Sequence, residues 1–372
     1  MTRSSDVLIV GGGIIGLAIA REAALAGLSV RLFDAGEPGG EASGAAAGMI
    51  GAQIEAERRD ALTELGLASR ALYDPFIDSV REESGVDPNH RAEGSLVVAQ
   101  GDDEEAALDR RRAFLAESDL PAERLDRGGL RWRERGLGRP FGGGLFLPRD
   151  TSLEPPLLLR GLRLAAERAG AEIRCGVPVQ RLLTKNRRVV AAEVAGEVWV
   201  AGTIVMAAGA WSGAVETQGI APPPTEPVKG QIVCLRATPA ALRHVLLSTG
   251  VYLVPRGDGR IVVGSTSERV GFDRSVTAGA VASLIDRAAA LLPALADASF
   301  DSAWAGLRPA TPDGLPVIGP ASVAGLIYAC GHFRHGILLA PITARIVTRL
   351  LRGEDPEIDL APFAARRFAG AG

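Results

Sequence analysis

One short stretch near the start of the chain constrains the fold most. Residues 6–10, DVLIV, form an unbroken apolar run that stops at GGGIIG. A run of that length against a glycine cluster reads as a strand buried on both faces. IIGLAIAREAALAG follows with helical character and Gly27 as its stop signal. SVRLFD, 29–34, is a second strand. Strand, turn, helix and strand within about 30 residues make a parallel βαβ unit, so the chain reads as α/β.

Inside that unit Gly11, Gly13 and Gly16 satisfy G-x-G-x-x-G, and Asp34 closes the second strand about 20 residues later. Each position has a physical duty. Gly11 permits the tight turn. Gly13 lets the backbone approach a pyrophosphate at the helix N-terminus, where free N–H groups and the helix dipole favour anions. Gly16 permits close helix–strand packing, and Asp34 can accept hydrogen bonds from an adenosine ribose. The combination predicts dinucleotide binding. The plainer alternative is a tight structural turn with no ligand.

The apolar run from Val7 to Ala20 also raises the question of a signal peptide or membrane span. It contains four glycines, ends at Arg21 and Glu22, and falls short of the roughly 20 apolar residues a span needs. With 372 residues, 47% of them hydrophobic, the chain is long enough for two domains. A formal net charge of −3 offers no basic footprint for nucleic acid. Only Lys185 and Lys229 are lysines, which counts against Schiff-base chemistry. Cys175, Cys234 and Cys330 are odd in number and far apart, as expected of reduced thiols in the cytosol.

Further along, RDALTELGLASRALYDPFIDSVREESG and PPLLLRGLRLAAERAG have helical periodicity, and residues 102–135 read as a charged, helical surface region. EIRCGVPVQRLLTKNRRVVAAEVAGEVWVAGTIVMAAG reads as a strand, a hairpin and a buried strand. APPPTEP, 221–227, is linker-like. VYLVPRGDGRIVVGSTS is a hairpin turning at Gly257–Asp258–Gly259, and TAGAVASLIDRAAALLPALAD is a helix.

NAD and FAD share the glycine fingerprint, and two other segments separate them. EASGAAAGMIGAQ, 41–53, is small and Gly/Ala-rich where an NAD enzyme would carry an ordinary helix. TIVMAAGAWS, 203–212, is an apolar strand ending in Ala208–Gly209. Each alone could be Ala-rich packing; together they favour FAD. Late in the chain GHFRHGILLAP, 331–341, places two histidines, an arginine and two glycines between an apolar strand and an apolar helix. Cys330, His332 and His335 match no common zinc spacing, so no metal site is expected.

These pieces, with PVKGQ, YLVPRGDGRIVVGST and WAGLRPATPDGLPVIG, resemble the D-amino-acid oxidase-like FAD oxidoreductases over essentially the whole chain, and most nearly the glycine-oxidising branch tied to thiamine biosynthesis. The resemblance implies a non-covalent FAD, since 304–310, WAGLRPA, lacks the cysteine to which related sarcosine oxidases attach theirs. It extends the cofactor set from the fingerprint to Ile14, Ile15, Ala35, Ala42, Ser43, Ala47, Gly48, Met49 and Val179. It also lays the turn His332, Phe333, Arg334, His335, Gly336, Ile337 and Leu338 across the flavin, with the following helix pointing its positive end at the ring. For catalysis it implies Arg308 as bidentate partner of a substrate carboxylate, with Tyr252 and Arg334 assisting. Ser267, after VVGST, departs from a larger apolar residue and is expected to widen the pocket.

The expected architecture is a Rossmann-type FAD-binding domain (1–88, 148–222 and 304–372) interleaved with a β-sheet-rich substrate domain (89–147 and 223–303). The expected reaction is oxidation of a small amino acid, glycine first, to an imine and then glyoxylate and ammonia, with oxygen giving hydrogen peroxide. Sarcosine, proline or D-amino-acid oxidation on the same fold is the nearest alternative, and a non-catalytic FAD-binding protein is the alternative of another class. The resemblance leaves room for a homo-oligomer, without nucleic-acid or membrane partners.

Overall fold

The computed structural model describes residues 4–56, 58–138, 141–237 and 241–369; the expected domain ranges also include residues outside this set. Among the described residues two eight-stranded sheets carry the architecture. In the first, the strand order is Val317–Pro320, Leu326–Cys330, Glu197–Met206, Ser4–Val10, Val30–Phe33, Glu172–Arg174. The last five run parallel to one another. The hairpin Val179–Lys185 and Arg188–Val194 attaches to Glu197–Met206. All five parallel strands therefore end at one edge, where Gly11, Asp34, Ala207 and Gly331 emerge. That edge is where open α/β sheets place their ligands.

Side-chain alternation decides what covers each face of this sheet. Val7 and Ile9 point to a core shared with the helices Ile14–Leu25, Ala61–Ser84, Pro155–Arg168 and Gly336–Leu351. Leu8 and Val10 point the other way, to a core containing Phe33, Leu182, Val194 and Trp199. The helix Ile14–Leu25 stops as expected: Gly27 has φ +84°, its N–H donates to the Ala24 carbonyl and the Leu28 N–H to the Ala23 carbonyl. These are the paired bonds of a Schellman cap. Ala61–Ser84 starts at Asp60, whose side chain accepts from Thr63 N–H.

The second sheet runs Ser299–Ala310, Glu226–Arg236, Arg260–Gly264, Val251–Pro255, Val245–Ser248, Ser95–Ala99, Gly143–Leu147, Glu123–Asp126. Val233, Leu246, Leu253 and Val263 bury against the helix Ala278–Leu291. Ile232, Val254 and Val262 face the other way, with Tyr252 and Trp304, onto Ala47 and Met49. The charged stretch 102–135 is not wholly helical. Between the helices Asp102–Glu117 and Arg127–Arg133 it contributes the edge strand Glu123–Asp126, whose charges suit a sheet edge. The strand Ser299–Ala310 runs unbroken in this sheet, across the expected division at 304. No helix among the described residues is long and apolar enough to cross a membrane.

Candidate active site

Between the carboxyl edge of the first sheet and the inner face of the second lies a cavity of about 1130 Å³. Pockets for small ligands typically hold about 300–1,000 Å³, so this one has room for a large cofactor and a small substrate together.

The fingerprint forms one wall. Gly11 has φ +103°, and a Cβ there would meet the Ala207 backbone. Gly16 is the one expected cofactor residue that does not line the cavity. Its missing Cβ instead avoids the Gly11 carbonyl oxygen, so its duty is packing. Gly11, Gly13, Ile14, Ile15, Asp34, Ala35, Ala42, Ser43, Ala47, Gly48, Met49 and Val179 all line the cavity. Ser43 Oγ accepts the Ile14 N–H at 3.0 Å, bringing the small-residue segment onto the start of the helix. The Asp34 carboxylate accepts from Gly12 N–H at 2.5 Å and Gly36 N–H at 2.8 Å, fixing its orientation and leaving lone pairs for a ribose.

The polar turn His332–His335 forms the floor. Phe333 N–H donates to the Pro309 carbonyl at 2.9 Å, tying the turn to the end of the Arg308 strand. The helix Gly336–Leu351 makes its first bond from Leu339 N–H to the His335 carbonyl, so the N–H groups of Gly336, Ile337 and Leu338 precede the hydrogen-bond ladder. From the side, Tyr73 Oη donates to the Ile337 carbonyl at 2.5 Å and Ser69 Oγ to the Leu338 carbonyl at 2.6 Å. The two histidines diverge. His332 is buried with Nε2 3.1 Å from Thr343 Oγ1. Burial, with His335 nearby, pushes its pKa down to about 3, so it is neutral. His335 Nε2 lies 3.4 Å from Glu55 Oε2, while its Nδ1 is buried without a partner. Burial raises the Glu55 pKa, but the His335 hydrogen bond and the charges of His335, Arg334 and Arg111 outweigh it and hold the carboxyl low. Among the described residues no group of three or more His, Cys, Asp or Glu side chains is arranged to hold a metal ion.

Opposite the floor, the second sheet presents Arg308 and Tyr252. The guanidinium of Arg308 donates from Nη2 to Ser265 Oγ at 2.7 Å and from Nη1 to the Thr266 carbonyl at 3.2 Å. A guanidinium has five N–H donors, and these two bonds use two of them; the hydroxyl of Tyr252 also lies within hydrogen-bonding reach. Burial lowers its pKa, Tyr252 opposes that, and the like charge of Arg334 adds to it. Two glycines make the space: a Cβ on Gly230 would run into the Arg308 guanidinium, and one on Gly264 into the Tyr252 ring. Arg334 is exposed, lines the cavity and lies 5.4 Å from the Phe333 ring. Sequence reading missed Ser265, Thr266, Gly230, Gly264 and Glu55. The first four sit within the quoted PVKGQ and VVGST pieces, but only the strand register brings them beside Arg308. Ser267 is exposed and does not line the cavity; Ser265 does, so any effect on the pocket belongs to Ser265.

The residues fit FAD on the structure's own terms. The glycine turn, the start of the helix Ile14–Leu25 and Asp34 suit its adenosine diphosphate half. The unladdered N–H groups of 336–338 and the partnerless His335 Nδ1 supply polar contacts for the other half. Cys330 lines the cavity, but burial pushes its thiol up to about 12, which leaves it unreactive.

A family model described as FAD dependent oxidoreductase matches residues 6–350. The chain is 36% identical over 373 residues to a glycine oxidase of Geobacillus kaustophilus, spanning 100% of this chain and 99% of that one. The crystal structure of glycine oxidase from Geobacillus kaustophilus matches with a TM-score of 0.95 over 98% of this chain and 99% of that chain, at 36% identity. A bifunctional ThiO/ThiG protein of Trichormus variabilis is 34% identical over 372 residues, 99% of this chain and 55% of its own length.

Proposed function

Because the chain belongs to the family of FAD dependent oxidoreductases, we propose that it oxidises a small amino acid, glycine first. The overall change is glycine, oxygen and water to glyoxylate, ammonia and hydrogen peroxide. The observation that carries this reading is the Arg308 fork, fixed by Ser265 and Thr266 in the same cavity as the fingerprint turn. FAD, when bound, takes up the electron pair and hydrogen removed from the substrate Cα. The chain's own groups bind and orient. Arg308 clamps the carboxylate through its free N–H donors, Tyr252 adds its hydroxyl, and Arg334 lends charge from the rim. His332, neutral and bonded to Thr343, neither gives nor takes a proton. The substrate amine enters neutral, so that its lone pair assists loss of hydrogen from Cα.

The same reading makes FAD non-covalent, oxygen the acceptor, the cytosol the compartment and a homo-oligomer an allowed state. It assigns the first sheet to the cofactor and the second to the substrate, with the boundary at 304 moved to the strand end near 310. The relative named ThiO/ThiG supports placing the product in thiamine biosynthesis.

The test is a peroxide-coupled screen of glycine, sarcosine, D-alanine and D-proline, alongside acid precipitation of the purified protein. Glycine turnover with all flavin released as FAD is expected. Turnover of none of the four amines overturns the reading, and flavin retained by the pellet overturns the non-covalent assignment.

A further inference from the structure

Lys229 is one of two lysines in the chain and is 2% exposed. It lies in the strand Glu226–Arg236, one residue before the glycine beneath Arg308, yet its ammonium points away to segment 265–277. There Nζ donates to Asp273 Oδ2 at 2.9 Å and to the Ser275 carbonyl at 3.3 Å, and it pairs with Glu268 Oε2 at 3.3 Å. The backbones of Lys229 and Glu268 exchange two hydrogen bonds of 2.9 Å. Gln231, also buried, reinforces the link: its Nε2 donates to Glu268 Oε1 at 2.8 Å, and its Oε1 accepts Thr277 N–H at 2.7 Å.

The fastened segment reaches the cavity at two places. At its start, Ser265 Oγ and the Thr266 carbonyl hold the Arg308 fork. In its middle, Phe272 stacks on Trp211 with ring centroids 5.2 Å apart, and Arg274 Nη1 donates to Glu41 Oε1 at 2.5 Å. These four side chains line the cavity, and Trp211 and Glu41 belong to the cofactor side of it. Its apolar side chains anchor it little, Val270, Phe272 and Val276 being 46%, 50% and 40% exposed; its remaining ties are polar, among them an ion pair of Arg269 with Glu226 and the bonds of Thr266 with the Gln231 backbone. Its position therefore depends on the polar links beneath it.

We propose that Lys229 is a positioning residue for two functions at once. Through segment 265–277 it orients the Arg308 fork toward a carboxylate, and it keeps the Phe272–Arg274 clasp closed over the cofactor. The first half rests on the carboxylate reading given above; the second stands apart from it.

The experiment uses FAD-loaded protein with acetate as carboxylate probe, read through the flavin absorbance, and FAD release followed after dilution into an apoflavoprotein trap. Lys229→Met removes the links to Asp273, Glu268 and the Ser275 carbonyl together, and Asp273→Ala removes the first of them from its other end. Asp273 is half-exposed, so its variant keeps the fold even if Lys229→Met does not. Each is expected to weaken acetate binding and speed FAD release by about ten-fold, the scale of a lost charged hydrogen bond. The double variant should do less than the sum of the two, because both remove the Lys229–Asp273 link. Arg274→Ala should speed FAD release and leave acetate affinity alone.

If Lys229→Met and Asp273→Ala lower only the unfolding midpoint, Lys229 is structural and the inference is overturned. Additive effects overturn it as well. If Arg308→Ala leaves acetate affinity unchanged, the carboxylate reading has failed instead, and FAD release alone decides the role of Lys229.

Discussion

Gly230→Ala separates the fold from the site with a single methyl group. Gly230 lies mid-strand beneath Arg308, and an ideal Cβ there would stand 2.5 Å from the guanidinium Cζ. Carbon atoms pack at about 3.5–4.0 Å, so the guanidinium has to retreat by about 1 Å. It is the far end of a flexible side chain, so the fold can accommodate this at little cost. The fork cannot retreat and also keep Ser265 Oγ at 2.7 Å and the Thr266 carbonyl at 3.2 Å. A misplacement of about 1 Å in a positioning group costs on the order of 100-fold, or about 2.7 kcal/mol of transition-state stabilisation. The expected result is kcat/KM for glycine down about 100-fold, carried mainly by KM, with FAD content and melting temperature near wild type. Peroxide-coupled kinetics and a thermal melt decide it. Unchanged kcat/KM with FAD bound would refute the claim that the Arg308 position sets substrate binding. Lost FAD would show that the strand itself had moved.

Arg308→Ala should bind FAD and lose substrate and carboxylate inhibitors together. Truncating one partner of a buried charge pair costs about 2–5 kcal/mol, at least a 30-fold fall in kcat/KM. Tyr252→Phe should lose about 1.5–3 kcal/mol, roughly 10- to 150-fold, mostly through KM. A fall of about 10⁴ in the anaerobic flavin reduction rate at saturating glycine would instead make Tyr252 a general base. His332→Asn tests linkage. Folded His332 has a pKa of about 3 against about 6.5 unfolded, so the unfolded state binds more protons between those values and the native state loses stability as pH falls through 6.5. From pH 7 to 5, urea unfolding should show the variant gaining about 2 kcal/mol relative to wild type; a constant difference across that range contradicts a neutral buried imidazole.

The first βαβ unit was readable from sequence because its signals are local: an apolar run, a glycine spacing and a Schellman stop. The turn at 332–335 was readable as polar and out of place, but not its supports. Tyr73 and Ser69 grip the start of the helix that follows it, at Ile337 and Leu338, from a helix more than 260 residues upstream, a pairing that tertiary packing alone creates. The Arg308 clamp shows the same limit. Ser265 and Gly230 become its neighbours only through the registers of Glu226–Arg236 with Ser299–Ala310 and with Arg260–Gly264. The strand Glu123–Asp126 escaped notice because ERLD has the composition of a surface turn, and an edge strand does not need an apolar alternation.

The hydrogen bond from Phe333 to Pro309 works as the spine of a book whose covers are the two sheets. The clasp of Phe272 on Trp211 and Arg274 on Glu41 is a second tie between them, while the spine sets how far the Arg308 strand stands from the floor. We expect changes at the clasp to alter which molecules get in, and changes along the spine to alter what happens to them once inside.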